Sequence, residues 1–308
     1  MVMGTNVSRW SDLAAHPQVV YSDDLTILFN GDSRLLIPEL AEFGVKFDLL
    51  LTDPPYGVEK GNSGRDIEFE DGYDASRVLI REVLNAALKL RRGEPSSAIV
   101  WMGFTLFGVV AEFLEHNFSS TRLLTWVKTN PMPMYPSFGS AVEMCLFGSG
   151  KGRVWNYSRD FQWNVLAFPS VSGPDRAGHP TAKPTLLMKK LIVAATNPGP
   201  GQVVIDPFSG SGSTLRAAKA AGRRSIGIEL DPKFCDSTAT FLRDPEGDGS
   251  LTRVSKPRRC FACENDTLIR SAVLAEREAC AKSVEEGWLL GDEDLPITTQ
   301  LANAVRVR

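Results

Sequence analysis

Asp53-Pro54-Pro55-Tyr56 ends an apolar run, Phe47 to Thr52, and puts a carboxylate, a stiffened backbone and an aromatic face within four residues. The two prolines remove two N–H donors and restrict the chain, so the Pro54 carbonyl keeps a fixed direction. Two neighbouring acceptors suit a group with two N–H bonds. The exocyclic amine of adenine or cytosine is such a group, and a poor nucleophile, because its lone pair is delocalised into the ring. A carboxylate on one N–H and a carbonyl on the other would draw the nitrogen toward tetrahedral geometry and aim its lone pair at an incoming methyl. Tyr56 would supply a stacking face, worth about 1–3 kcal/mol per base. The plainer reading is a rigid turn with a surface aspartate. At average residue usage the tetrapeptide arises by accident in about one chain per thousand of this length, and its position at a strand end makes chance rarer.

A second constellation, Asp206-Pro207-Phe208-Ser209-Gly210-Ser211-Gly212-Ser213-Thr214, follows a strand and opens a helix. Glycines there let the backbone turn tightly and approach a ligand without a Cβ clash. The helix start at Ser213 offers unpaired N–H groups to an anion. Glu229, seventeen residues beyond Gly212 and at the end of the next strand, could accept hydrogen bonds from ribose hydroxyls. A dinucleotide fingerprint needs a third glycine three residues after the second; Leu215 stands there, which disfavours NAD. Many nucleotide folds share such a loop, and a glycine turn without a ligand stays open on this segment alone.

The elements that must position these residues alternate. The pattern predicts strands at 25–29, 47–52, 98–102, 123–127, 142–147, 203–205 and 225–229. Helical spacing marks 33–42, 75–90, 106–116, 185–195, 213–221 and 233–242. Strands alternating with helices imply an α/β protein with a mostly parallel sheet, and ligands at the carboxyl ends of its strands. Residues 1–24 read as a polar, irregular N-terminal arm, 57–74 as a loop and 148–178 as a segment without regular pattern. Residues 244–308 read as a linker and a C-terminal appendage with one amphipathic helix, about 268–284.

The chain has 308 residues, 43% hydrophobic and 23% charged, which is ordinary for a globular protein with room for one large domain and an appendage. A net charge of −3 rules out a basic nucleic-acid coat, yet an enzyme needs positive charge only where phosphates lie. Two basic runs offer that: Lys151, Arg153, Arg159, Arg176 and Lys183, and then Arg253, Lys256, Arg258 and Arg259; each is equally a solvated face. Five cysteines without framework spacing, and no signal or membrane-spanning pattern, point to a cytoplasmic protein with reduced thiols. Cys260 and Cys263 with Cys280 fall short of four zinc ligands, so no metal site is expected.

Taken together these stretches resemble the amino-group DNA methyltransferases that make N6-methyladenine or N4-methylcytosine, in the permuted β class whose catalytic tetrapeptide precedes the cofactor loop. The resemblance spans about residues 25–242. It rests on Asn30-Gly31-Asp32, Thr52 to Tyr56, Trp126-Val-Lys-Thr-Asn-Pro131, Glu143 with the apolar run after it, His179-Pro-Thr-Ala-Lys-Pro184 and the Asp206–Thr214 loop. It implies a seven-stranded, mostly parallel Rossmann-like sheet flanked by helices, closed at one edge by an antiparallel pair, with 25–243 as the catalytic domain. It implies S-adenosylmethionine as cofactor and DNA as partner, with a homodimer and a cognate restriction endonuclease as further partners. By the resemblance Asp53, Pro54, Pro55 and Tyr56 are catalytic. Asp32 binds the cofactor's adenine amine, Glu229 its ribose, and Thr181, Lys183, Phe208, Gly210 and Gly212 surround its methionine part, with Asp206 and Ser213 in the same loop.

The family usually has a long target-recognition region before the His179 stretch; here only 148–178 is available. Its Trp155, Tyr157, Phe161, Trp163 and Phe168 could form a compact reader of DNA or a small satellite core. An aspartate at the head of the tetrapeptide is associated in this family with adenine, and a serine with cytosine. The expectation is therefore N6 of adenine in DNA. The alternatives are N4 of cytosine and a catalytically silent, methyltransferase-like binding subunit. Amide methyltransferases, which carry Asn at the first position, are argued against by Asp53.

Overall fold

The computed structural model describes residues 8–55, 73–131, 139–156, 163–171 and 182–243. The chain divides into compact units Met1–Ser255 and Lys256–Arg308, and every described residue belongs to the first. In chain order the elements are α1 (Ser8–Ala14), β1 (Val19–Ser22), β2 (Thr26–Asn30), α2 (Ser33–Glu42), β3 (Leu49–Thr52), α3 (Tyr73–Ala87), β4 (Ser97–Met102) and α4 (Phe107–Asn117). There follow β5 (Ser120–Lys128), β6 (Val142–Ser149), β7 (Val165–Phe168), α5 (Thr185–Ala195), β8 (Val203–Asp206), α6 (Ser213–Ala220), β9 (Arg224–Glu229) and α7 (Pro232–Arg243).

The strands form one sheet in the order β1-β2-β9-β8-β3-β4-β6-β5-β7. β2, β9, β8, β3 and β4 run parallel to one another, and β6 enters antiparallel between β4 and β5. Among the described residues the expected seven strands are therefore nine. β1 adds antiparallel to β2 at one edge, and β7 adds parallel to β5 at the other. The "irregular arm" thus contributes a helix and an edge strand, and the patternless 148–178 segment contributes β7.

Central strands carry apolar side chains on both faces because helices cover both. All four residues of β3 are buried. Leu50 points into a core shared with α2, α3 and α4, whereas Leu49 and Leu51 point into a second core shared with α5 and α6. α7 packs with α6 over β1 and β2 through Leu28, Leu215, Ala239 and Leu242.

This topology creates a crevice. β8 leads through α6 to β9 on one side, while β3 leads through α3 to β4 on the other, and β8 and β3 are direct parallel neighbours (Leu49 beside Val204, Leu50 beside Ile205). Where connections leave a parallel sheet in opposite directions, the carboxyl ends of the two strands open a binding cleft. Asp53 follows one of those strands and Asp206 ends the other.

Candidate active site

The cleft is a cavity of about 360 Å³, lined by Asp53, Pro54 and Pro55 from the turn after β3 and by residues 206–211 with Ser213 and Thr214 after β8. Gly31 to Arg34 after β2 and Ile228 to Leu230 at the end of β9 complete one end, with Lys183 at the other. Of the residues expected to act, Asp32, Asp53, Pro54, Pro55, Lys183, Asp206, Phe208, Gly210, Ser213 and Glu229 therefore border one space. Gly212 sits behind it as the N-cap of α6. Tyr56, Thr181 and His179 lie outside the described residues, as do the tail cysteines Cys260, Cys263 and Cys280 and the helix expected at 268–284.

Hydrogen bonds tie the turns together. The Thr52 hydroxyl donates to Asp206 Oδ1 (2.7 Å), and the same oxygen accepts the Phe208 N–H (3.1 Å). Ser33 donates its hydroxyl to the Pro207 carbonyl, joining the start of α2 to the loop. The Gly210 N–H donates to Glu229 Oε2 (2.7 Å) and the Asp231 N–H to Oε1 (2.8 Å). Gly212 has φ 71°, a left-handed conformation, and a Cβ there would fall 2.3 Å from Thr238 Cγ2. Glycine is needed on both counts.

The carboxyls differ in state. Burial pushes Asp206 up to about 6, against its hydrogen bonds from Thr214, Thr52 and the Phe208 amide. Burial likewise raises Glu229 above the ordinary carboxylate range. Asp32 goes the other way: the Arg34 guanidinium, 2.6 Å from its Oδ2, holds it low. Asp32 also caps α2, accepting the Arg34 N–H at 2.8 Å.

Lys183 is the residue whose surroundings the sequence did not disclose. It is 3% exposed, so it leaves the basic run to which sequence position had assigned it. Its ammonium donates to Asp53 Oδ2 and lies 3.1 Å from Glu143 Oε2; the other oxygen of Glu143 lies 2.9 Å from Lys128 Nζ. Burial alone would lower Lys183, but Asp53 and Glu143 outweigh it and raise the group. Burial would raise Glu143, yet the two lysines hold it low. Among the aromatics between β6 and α5, Phe168 packs on the core beside β5, Trp155 lies against Phe147 (5.6 Å between centroids), and Trp163 is 76% exposed. These described aromatics are thus divided between core and surface; Tyr157 and Phe161 lie outside the described residues.

A family model for N6/N4 DNA methylases matches residues 47–240, which include both strand-end motifs. The chain belongs to that family. It is 26% identical over 247 residues to the type II methyltransferases M2.LlaDCHI of Lactococcus lactis subsp. cremoris and M2.DpnII of Streptococcus pneumoniae, each match covering 70% of this chain and 88% of the relative. Among solved structures it resembles an M1.HpyAVI–SAM complex (27% identity, TM-score 0.60, 71% of this chain and 99% of that one). It shares its fold with the cytosine-N4-specific PvuII DNA methyltransferase (17% identity, TM-score 0.54, 72% of this chain and 88% of that one). The chain is thus an amino-group DNA methyltransferase that uses S-adenosylmethionine. The cavity fits such a cofactor. Its volume falls in the small-molecule range, its walls are largely apolar, and carboxylates stand at one end beside a glycine turn and a helix start. Among the described residues, no helix is long and apolar enough to cross a membrane.

Proposed function

We propose that this methyltransferase modifies N6 of adenine in DNA, with Asp53 and the Pro54 carbonyl as the acceptors for the target amine. The observation that carries the reading is the placement of an aspartate, not a serine, at the head of the turn that opens into the cavity. The same cavity wall holds the loop expected to bind the cofactor. We assign Asp32 and Glu229 to the nucleoside part of S-adenosylmethionine. Phe208, Gly210, Gly212 and Ser213, with Thr181, are assigned to its methionine part. Asp206 acts through the loop it pins. When bound, the cofactor supplies an electrophilic methyl group on a sulfonium.

The chain's own residues then do three things. They bring two reactants into one orientation, which converts an encounter into an intramolecular event. The Asp53 carboxylate and the Pro54 carbonyl each accept one N–H of the amine, so its lone pair is turned out of conjugation. As the amine takes the methyl group, whose bond to the sulfonium sulfur would break to leave a neutral thioether, the nitrogen would become cationic, and the nearby carboxylate would stabilise that charge until a proton is shed to solvent. Tyr56 is assigned to stack on the base. A target in duplex DNA must first be turned out of the stack, at a cost of a few kcal/mol.

Incubating the protein with DNA and S-adenosylmethionine, digesting to nucleosides and identifying the product by mass spectrometry tests the assignment. N6-methyldeoxyadenosine is expected. N4-methyldeoxycytidine as the product would transfer the same geometry to the other base, and absence of both would refute the catalytic reading. Sequencing single DNA molecules from an expressing host would add the sequence context.

A further inference from the structure

The Lys128–Glu143–Lys183–Asp53 chain draws on four separate elements and alternates in sign. Lys128 ends β5, Glu143 lies near the start of β6, Lys183 precedes α5, and Asp53 follows β3. Its inner member is enclosed: the Lys183 side chain is 2% exposed, and its ammonium also lies 5.4 Å from the centroid of the fully buried Trp101 ring. A buried charge survives only when paired. Here one ammonium serves two carboxylates, and Glu143 is itself shared with Lys128.

We propose that Lys183 is a positioning residue for Asp53, held by Glu143 and Lys128, and that its ammonium holds the Asp53 carboxylate in one orientation at the cavity wall. This rests on Asp53 being the acceptor of the target amine, and it replaces the expectation that Lys183 contacts the cofactor. The electrostatics favour the replacement. An ammonium aimed at a sulfonium would repel it, whereas here the ammonium is directed at two anions. Without the lysine, the Asp53 carboxylate would lose the ion pair that fixes its direction, and the acceptor for the amine would no longer be held in one place. Among the described residues, the Cys145 thiol of β6, which burial raises, and Asp206 at the end of β8 also act on this site.

The test uses the full-length protein with Lys183→Met, Lys183→Arg and Glu143→Gln, each checked by thermal melting. Lys183→Met is expected to lower kcat about 10²-fold, the scale of a misplaced reacting group, with calorimetric affinity for S-adenosylmethionine within about three-fold of wild type. Lys183→Arg, which keeps the charge, should lose less of kcat than Lys183→Met at the same cofactor affinity. If Lys183→Met does not fold, Glu143→Gln carries the test, since loosening the anchor should lower kcat without changing cofactor affinity. Unchanged kcat in Glu143→Gln overturns the proposal. So does a Lys183→Met protein whose cofactor affinity drops more than about ten-fold while kcat at saturating cofactor holds, because that pattern marks lost ground-state binding. An Asp53→Ala protein that methylates normally would instead sink the catalytic reading of the turn, whatever the lysine variants do.

Discussion

Asp206 links the two motifs through a single oxygen, which accepts from Thr52 on one strand and from the Phe208 amide in the loop. That service has a thermodynamic consequence. The group is fully buried, and its folded-state value of about 6 stands above the ordinary 3.8. Below 3.8 both folded and unfolded chains carry the proton, and no penalty arises. Between the two values the folded chain binds more protons than the unfolded one, so stability falls as pH rises through about 6. The full effect is on the order of 3 kcal/mol. Asp206→Asn cannot ionise. In urea unfolding from pH 3.5 to 7, the stability of wild type relative to Asp206→Asn should decline by that order as pH rises; a flat difference would show that the carboxyl ionises without penalty. The sequence disclosed that Asp206 begins the cofactor loop. It did not disclose the tie to Thr52, which depends on β3 and β8 being neighbours. Lys183 was harder still, because its partners Asp53 and Glu143, with Lys128 behind Glu143, lie 40 to 130 positions away and meet only when β3, β5 and β6 are assembled.

Elements with long apolar runs were legible. Phe47–Thr52 and Val203–Ile205 read as buried parallel strands, and α2 and α5 fall at the residues their spacing marks. β1 was not, because four residues with a single buried side chain, Tyr21, present no period to count. Tertiary contacts make it a strand. Leu13 of α1 is buried in the main core, the Tyr21 hydroxyl donates to the Leu242 carbonyl (3.1 Å), and Lys219 Nζ donates to Asp23 Oδ2 (2.6 Å) and the Leu242 carbonyl (2.7 Å). β1 also covers the edge of β2, which would otherwise present unpaired backbone groups. A chain begun at Leu25 should therefore lose more than about 3 kcal/mol of stability, since two large side chains and a partly buried polar cluster go with the deletion. An unchanged denaturation midpoint would show that the edge contributes nothing. β7 escaped the sequence for a related reason: its four residues sit in a Pro- and Gly-rich stretch and gain strand form only by pairing along β5.

For the whole molecule the decisive arrangement is the reversal of connections between β8 and β3. It places a carboxylate turn and a glycine loop at one rim although about 150 residues separate them in the chain. We propose 25–243 as the catalytic domain in the functional sense, with α1 and β1 completing its fold, and 244–308 as an appendage. The alternation of strands and helices made the architecture readable, and the two motifs made the rim readable. The enclosing ion chain and both sheet edges required the assembled protein. Asp53→Ala tests the central claim most directly, with single-turnover methyl transfer to DNA and calorimetric S-adenosylmethionine affinity measured on the same preparation. Transfer should fall about 10²- to 10³-fold, the range for loss of a group that stabilises developing charge, while cofactor affinity stays within a few-fold of wild type. Transfer at the wild-type rate would contradict the account.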